Sequence, residues 1–216
     1  MVTLSGPAVP PRSKGQPRCL VVLLHGWGAN GDDLIGLAPA WARVLPDAGF
    51  VSPHGPEPCD QNPMGRQWFG FIGASPAMIA RGAARARDLI DRFIGAELAR
   101  FGLGDDRLAL VGFSQGAMMA LYVALRRARP CAAVVGYSGA LIDADGLADA
   151  VRSRPPILLI HGDADQVVPI GSLHEALEGL GRAEVPVQFH VARGLGHGID
   201  EKGLEIGGAF LRTCLA

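Results

Sequence analysis

Six short, mostly apolar runs alternate with longer stretches of helical periodicity from about residue 19 onward, and this alternation sharply restricts the folds open to the chain. The runs fall at 19–24, 48–52, 107–111, 132–137, 157–160 and 187–191. Several are continuously apolar, and a strand apolar on both sides must be covered on both sides, as in a parallel sheet between helical layers. The intervening segments 32–44, 76–101, 115–128, 144–152, 170–180 and 201–213 read as helices. The second is the best marked. Ser75 can cap it, Pro76 occupies the first helical position where a missing N–H costs little, and Ile79, Ala83, Ala86, Ile90 and Phe93 recur at three- and four-residue spacing. The expectation is an α/β protein with a mostly parallel central sheet and helices on both faces.

No repeat, low-complexity tract or linker divides the 216 residues, so one domain over 1–216 is expected, with 1–18 an extended leader or edge strand. The segment 52–75 stands apart. It carries Pro53, Pro56, Pro58 and Pro63 and ends in Trp68, Phe69 and Phe71. A long loop of this kind inside a compact domain points to function.

A formal net charge of −1 gives no electrostatic reason to expect nucleic acid or an anionic membrane as partner. The apolar runs are far shorter than the roughly 20 residues of a membrane-spanning helix, and residues 1–17 lack a basic region followed by an apolar one. The four cysteines, Cys19, Cys59, Cys131 and Cys214, are scattered without C-x-x-C spacing. Neither a zinc site nor a disulfide framework is expected, and a reducing cytoplasm suits such a set.

The strongest local signal is Gly112-Phe113-Ser114-Gln115-Gly116, lying between a strand and an apolar helix. G-x-S-x-G at that junction forms a sharp elbow that holds the serine strained and exposed. Glycines on either side make room for neighbouring backbone. With 30 glycines in the chain the pentapeptide alone could arise by chance. Its placement is what argues for a nucleophile at Ser114.

A serine hydroxyl needs a neutral imidazole to take its proton and a carboxylate to orient that imidazole. In elbow hydrolases the order is serine, acid, histidine. The run 157–160 leads into His161-Gly162-Asp163-Ala164-Asp165, and the run 187–191 is followed by Gly194-Leu195-Gly196-His197-Gly198. His197 is therefore the candidate base, and spacing leaves Asp163 and Asp165 both open as the acid. His174 and His190 lie inside a helix and a strand and read as structural or exposed. His25 and His161, at strand ends, read as loop-orienting.

Acyl transfer also needs two fixed N–H donors for the oxyanion. Gln115 N–H follows the nucleophile, and the loop His25-Gly26-Trp27-Gly28 offers Trp27 N–H as the second. The same loop reads Gly26-x-Gly28-x-x-Gly31, formally a dinucleotide fingerprint. That reading wants an acidic residue ending the next strand, whereas Asp47 precedes it, and it has no use for His25.

With these motifs placed, the sequence resembles the phospholipase/carboxylesterase family, which includes the acyl-protein thioesterases, within the α/β-hydrolase superfamily. The matching segments are Leu23-Leu24-His25-Gly26-Trp27-Gly28, Gly112-Phe113-Ser114-Gln115-Gly116-Ala117, His161-Gly162-Asp163-Ala164-Asp165-Gln166-Val167-Val168-Pro169 and Gly196-His197. Asp32-Asp33-Leu34-Ile35-Gly36-Leu37-Ala38-Pro39 and Gln67-Trp68-Phe69 look like bacterial members in particular. The resemblance implies Ser114 as nucleophile, Asp165 as acid, His197 as base, and Trp27 and Gln115 as oxyanion donors, with Asp163 capping a loop. It departs at Trp27, where eukaryotic thioesterases tend to carry an aliphatic residue. A bulkier indole there argues against lipidated-protein substrates.

Between the runs at 132–137 and 157–160 there is room for only a loop and a short helix, so no cap domain is expected. An open site suits small to medium acyl esters, with thioesters and lysophospholipids as related substrates. Trp68, Phe69, Phe71 and Met118 are the candidate pocket residues, core packing being the competing role, above all for Phe71 and Met118. The expected activity is a serine carboxylesterase working through an acyl-enzyme without metal or organic cofactor. Its partner is a small-molecule ester or thioester, with no nucleic acid and no integral membrane contact, and a homodimer is left open. The alternatives are an acyl-protein thioesterase, a peptidase or dienelactone-type hydrolase on the same fold, and a non-catalytic binding protein. Dienelactone hydrolases typically use cysteine, against which Ser114 counts, and a complete triad counts against the last.

Overall fold

The computed structural model describes residues 3–216. In chain order its strands are β1 (Ala8–Val9), β2 (Cys19–Leu24), β3 (Ala48–Val51), β4 (Glu57–Pro58), β5 (Arg66–Gln67), β6 (Leu108–Phe113), β7 (Ala133–Tyr137), β8 (Ile157–Gly162) and β9 (Val187–Ala192). The helices are α1 (Gly31–Leu34), α2 (Ala38–Trp41), α3 (Pro76–Phe101), α4 (Gln115–Ala124), α5 (Leu147–Ala150), α6 (Gly171–Arg182) and α7 (Glu201–Leu215).

Seven strands form one sheet in the order β1-β3-β2-β6-β7-β8-β9. All neighbours run parallel except the edge strand β1, which pairs antiparallel with β3 through Ala8↔Val51 and Val9↔Phe50. The apolar runs supply both faces by simple alternation. Leu20, Val22, Leu24, Leu108, Leu110, Val134 and Leu159 pack with α3, α4 and α6 on one side. Val21, Leu23, Ala109, Val111, Val135 and Ile160 pack with Trp41 and α7 on the other.

Two glycines let α7 approach closely. A Cβ at Gly207 would strike the Tyr137 hydroxyl, and one at Gly208 would come within 2.8 Å of Trp41. Tyr137 Oη and Trp41 Nε1 use that proximity to donate to the Gly203 and Leu204 carbonyls, at 3.1 and 2.9 Å.

Helix α3 follows its sequence signals. The Ser75 hydroxyl accepts from Met78 N–H, Pro76 opens the helix, and Gly102 closes it in a left-handed conformation (φ 66°). The segment 32–44 does not form one helix. It divides into α1, a 3-10 turn at Ile35–Leu37, and α2. Pro39 has no N–H to give to the preceding turn, and Gly36 adds backbone entropy cost. The segment 144–152 shortens to α5, because Asp143 sits at φ 57° before it and Val151 is already extended after it. Helix α4 stops at Ala124, and beyond it Arg127 reaches across to Asp91 and Asp105.

Between β7 and β8, residues 138–156 carry only α5, so no cap covers the sheet. Within 52–75, β4 and β5 form a small antiparallel ribbon. Among the described residues no helix is long and apolar enough to cross a membrane. β2 lies between β3 on one side and β6 on the other, so the chain reverses its direction of winding there. The crevice at the carboxyl ends of β2 and β6 is where open α/β sheets bind ligands.

Candidate active site

Ser114 is the residue between β6 and α4, at φ 54° and ψ −120°. Its N–H donates to the Tyr137 carbonyl at 2.9 Å, and its own carbonyl accepts from Ala117 and Met118. These bonds hold a non-glycine residue in a backbone region that costs of order 1–3 kcal/mol. The flanking glycines are steric necessities. A Cβ at Gly112 would overlap the Gly116 carbonyl, and one at Gly116 would overlap the Leu24 carbonyl at the end of β2. A Cβ at Gly26 would come within 3.1 Å of the Phe113 ring. The elbow and the loop after β2 are thus packed backbone to backbone.

Gln115 and Trp27 line the same cavity as Ser114, and each carries a backbone N–H. Gln115 is the first residue of α4, so its N–H has no acceptor within the helix. Trp27 lies on the loop after β2. Among the described residues neither N–H finds a backbone acceptor outside regular structure.

His197, on the loop after β9, donates Nδ1–H to Asp165 Oδ2 at 2.8 Å. The other nitrogen, Nε2, is left as the proton acceptor. The Phe113 ring lies 4.8 Å from the imidazole and braces it. Asp165, on the loop after β8, is buried (6% exposed). Its Oδ1 accepts from Val167 and Val168 N–H, both at 2.9 Å. Burial pushes this carboxyl up, but the hydrogen bonds from His197, Val168 and Val167 outweigh it and hold the group below its ordinary value. His161 gives its Nε2–H to the Val168 carbonyl at 2.8 Å and stands 3.6 Å from Asp165 Oδ2, fixing the turn that carries the acid. Asp163 does something different: exposed, it accepts Gly194 N–H at 2.6 Å and ties the acid loop to the histidine loop.

A cavity of about 610 Å³ opens beside these groups. Ser114, Gln115, His197 and Trp27 line it, together with Phe71 and Met118. Trp68 and Phe69, expected on the wall, are instead buried in the core (1% exposed each). The cause is a set of polar ties. The Gln115 side chain accepts Trp68 N–H and donates to the Phe69 carbonyl, both at 2.9 Å. Trp68 Nε1 donates to the His25 carbonyl at 2.9 Å, and its ring lies 5.0 Å from the His25 ring. Phe69 fits against Gly82 of α3, where a Cβ would lie 2.7 Å from its own.

His25 completes this pinning. Fully buried, it accepts Gly55 N–H at Nε2 and gives Nδ1–H to the Gly26 carbonyl, both at 2.8 Å. Burial lowers its pKa to about 4. The ring is neutral at pH 7 and orients loops from inside.

Several wall residues escape sequence reasoning: Ile72, Phe113, Ala140, Val167, Val168 and Pro169. Adjacency was the available signal, since Val167–Pro169 follow Asp165 directly and Ile72 follows Phe71. The dinucleotide reading fails at Gly28, whose N–H is taken by the Arg66 carbonyl and whose carbonyl is taken by Asn62. Among the described residues, no group of three or more His, Cys, Asp or Glu side chains is gathered to hold a metal ion.

A parallel sheet between helices, carrying a strained serine at a strand-to-helix turn and a His–Asp pair on later loops, is the α/β-hydrolase fold. The chain belongs to the phospholipase/carboxylesterase family, whose sequence model matches residues 8–215. It is 32% identical to esterase YpfH of Escherichia coli over 86% of this chain and 78% of that protein. It is 29% identical to acyl-protein thioesterase 1 of Gibberella zeae over 93% and 92% of the two chains. The crystal structure of esterase PE8 superposes with a TM-score of 0.94 at 42% identity, covering 99% of this chain and 100% of that one.

Proposed function

We propose that this protein is a serine carboxylesterase that hydrolyses small to medium acyl esters with Ser114 as nucleophile, His197 as base and Asp165 as its orienting acid. One observation carries the reading: the 2.8 Å bond from His197 Nδ1 to buried Asp165 leaves Nε2 as the proton acceptor of a ring that lines the same cavity as the strained Ser114. Family membership and relatives named as esterases support it.

Ser114 Oγ attacks the carbonyl carbon while His197 Nε2 takes its proton. The tetrahedral oxyanion rests on Trp27 and Gln115 N–H, each such donor worth about 3–4 kcal/mol of barrier. Collapse expels the alcohol or thiol with the proton from His197, leaving the acyl-enzyme. Water, deprotonated by His197, then releases the acid and restores Ser114. A cavity of about 610 Å³ with apolar walls holds a short or medium acyl chain together with part of its leaving group. The cytoplasm belongs to the same reading, supported by Cys19, Cys59, Cys131 and Cys214, all free thiols.

The test is hydrolysis of p-nitrophenyl esters from acetate to palmitate beside an acyl-thioester series, with Ser114→Ala as control. Turnover highest on short or medium esters and lost in the variant is the expected outcome. Turnover confined to long-chain thioesters would instead favour the acyl-protein thioesterase reading, which the Gibberella zeae relative supports. Retention of turnover by Ser114→Ala would remove the serine mechanism.

A further inference from the structure

The walls of the cavity beside Ser114 are apolar, and its fixed charge is of one sign. Asp33 is the single carboxylate among the lining residues, and none of them is lysine or arginine. Asp33 stands in the first turn of α1 and is exposed. Among the described residues it forms no ion pair, so its charge is free to act on a bound molecule. Three aromatic rings besides the His197 imidazole, those of Trp27, Phe71 and Phe113, line the same cavity. Trp27 is held in place by the bond from its Nε1 to Gln67 Oε1 at 2.8 Å, and Gln67 is itself tied to Asp60 at 3.1 Å.

A carboxylate and aromatic rings lining one cavity can recognise an ammonium group in two ways. The carboxylate attracts it by charge, and the negative face of a ring attracts it through its quadrupole. A phosphate or carboxylate on the substrate meets the opposite: repulsion from Asp33 and no lining cation to neutralise it. Resting on the ester-hydrolysis reading above, we infer that Asp33 is a specificity-determining residue that favours esters whose alcohol carries a cationic ammonium group and disfavours anionic ones. Asp33 is exposed, so the preference is modest, about three- to tenfold in kcat/KM, and it falls as salt screens the charge.

The experiment compares three butyrate esters under one condition: butyrylcholine, its uncharged carbon isostere 3,3-dimethylbutyl butyrate, and p-nitrophenyl butyrate. The wild-type protein is expected to prefer the choline ester over the isostere by about three- to tenfold, mainly through KM. The ratio should shrink toward one in Asp33→Asn, persist in Asp33→Glu, and decline as sodium chloride is raised. Equal kcat/KM for the two isosteres would overturn the inference, and so would a preference that survives in Asp33→Asn. Either result with p-nitrophenyl butyrate still hydrolysed leaves the esterase reading intact. Absence of hydrolysis of all three esters would overturn both.

Discussion

At the scale of single residues, the proposed site combines one strained position, Ser114, with one buried carboxylate, Asp165. Ser114 at φ 54° carries a Cβ in a region that suits glycine far better, so its replacements separate chemistry from strain. Ser114→Ala and Ser114→Gly are both expected to be inactive, but they should differ in stability. Relief of strain is worth of order 1–3 kcal/mol, and the extra entropy of an unfolded glycine takes back about 0.5–1. Glycine should therefore be the more stable by about 1 kcal/mol in urea denaturation, and a less stable glycine variant would show that the elbow is not strained. Asp165→Asn tests the other half. An asparagine keeps the shape but favours the wrong imidazole tautomer, and kcat should fall by roughly 10⁴. The corresponding Asp163→Asn still offers a carbonyl to Gly194 N–H and should leave kcat within about threefold. A loss at 163 equal to that at 165 would mean that the acid is misassigned. This distinction was the hardest to read from sequence, because both carboxylates follow the same strand. What separates them is the direction each side chain takes in the turn, and spacing does not encode direction.

At the scale of elements, the loop between β3 and α3 is held less by its own turns than by side chains reaching in from elsewhere. Gln115 bonds the backbone of Trp68 and Phe69, and His25 bonds Gly55 and Gly26. Gln115, next to Ser114, and His25, on the loop after β2, therefore anchor the segment that carries Phe71 and Ile72 to the cavity wall. Gln115→Ala would leave Trp68 N–H and the Phe69 carbonyl buried without partners, at about 1–3 kcal/mol each. We expect a loss of about 2–4 kcal/mol in chemical denaturation, with faster amide exchange concentrated at Trp68 and Phe71. A stability change under 1 kcal/mol, or exchange spread evenly over the chain, would show that the loop is held by packing alone. The strands and the long helix α3 were legible because hydrophobic period and capping residues act locally. The inward turn of Trp68 and Phe69 was not, since it depends on partners 43 to 47 positions away in the chain. The segment 32–44 departs from its helical apolar spacing for a different reason: Pro39 withholds the N–H that would join its two halves.

At the scale of the whole molecule, the order of motifs along the chain was the most legible feature, because a parallel sheet delivers every strand's carboxyl end to one edge. Ser114 after β6, Asp165 after β8 and His197 after β9 are all delivered to that edge, where the loops bring the last two within 2.8 Å. The same topology buries the early loop's histidine under that edge, and this has a consequence for acid stability. His25 titrates near 6.5 when the chain is unfolded and at about 4 when folded, because burial disfavours the charged ring. Above about pH 6.5 the ring is neutral in both states and the fold loses nothing. As pH falls from there toward 4, the unfolded chain gains a proton that the folded one refuses, and stability declines by up to about 3 kcal/mol. Asp165 acts in a lower window. Its carboxyl is held below the ordinary value in the fold, so the stability it contributes is present above the unfolded carboxyl's pKa and is lost only as pH falls through the folded one. Urea denaturation from pH 7.5 to 4 should therefore show a decline that begins near pH 6.5, before carboxylates protonate. In His25→Asn, where the replacement cannot titrate, the part of that decline due to His25 should vanish even if the variant is less stable throughout. A wild-type curve flat down to pH 5, or an unchanged slope in the variant, would mean that His25 is not the group that makes the fold sensitive to mild acid.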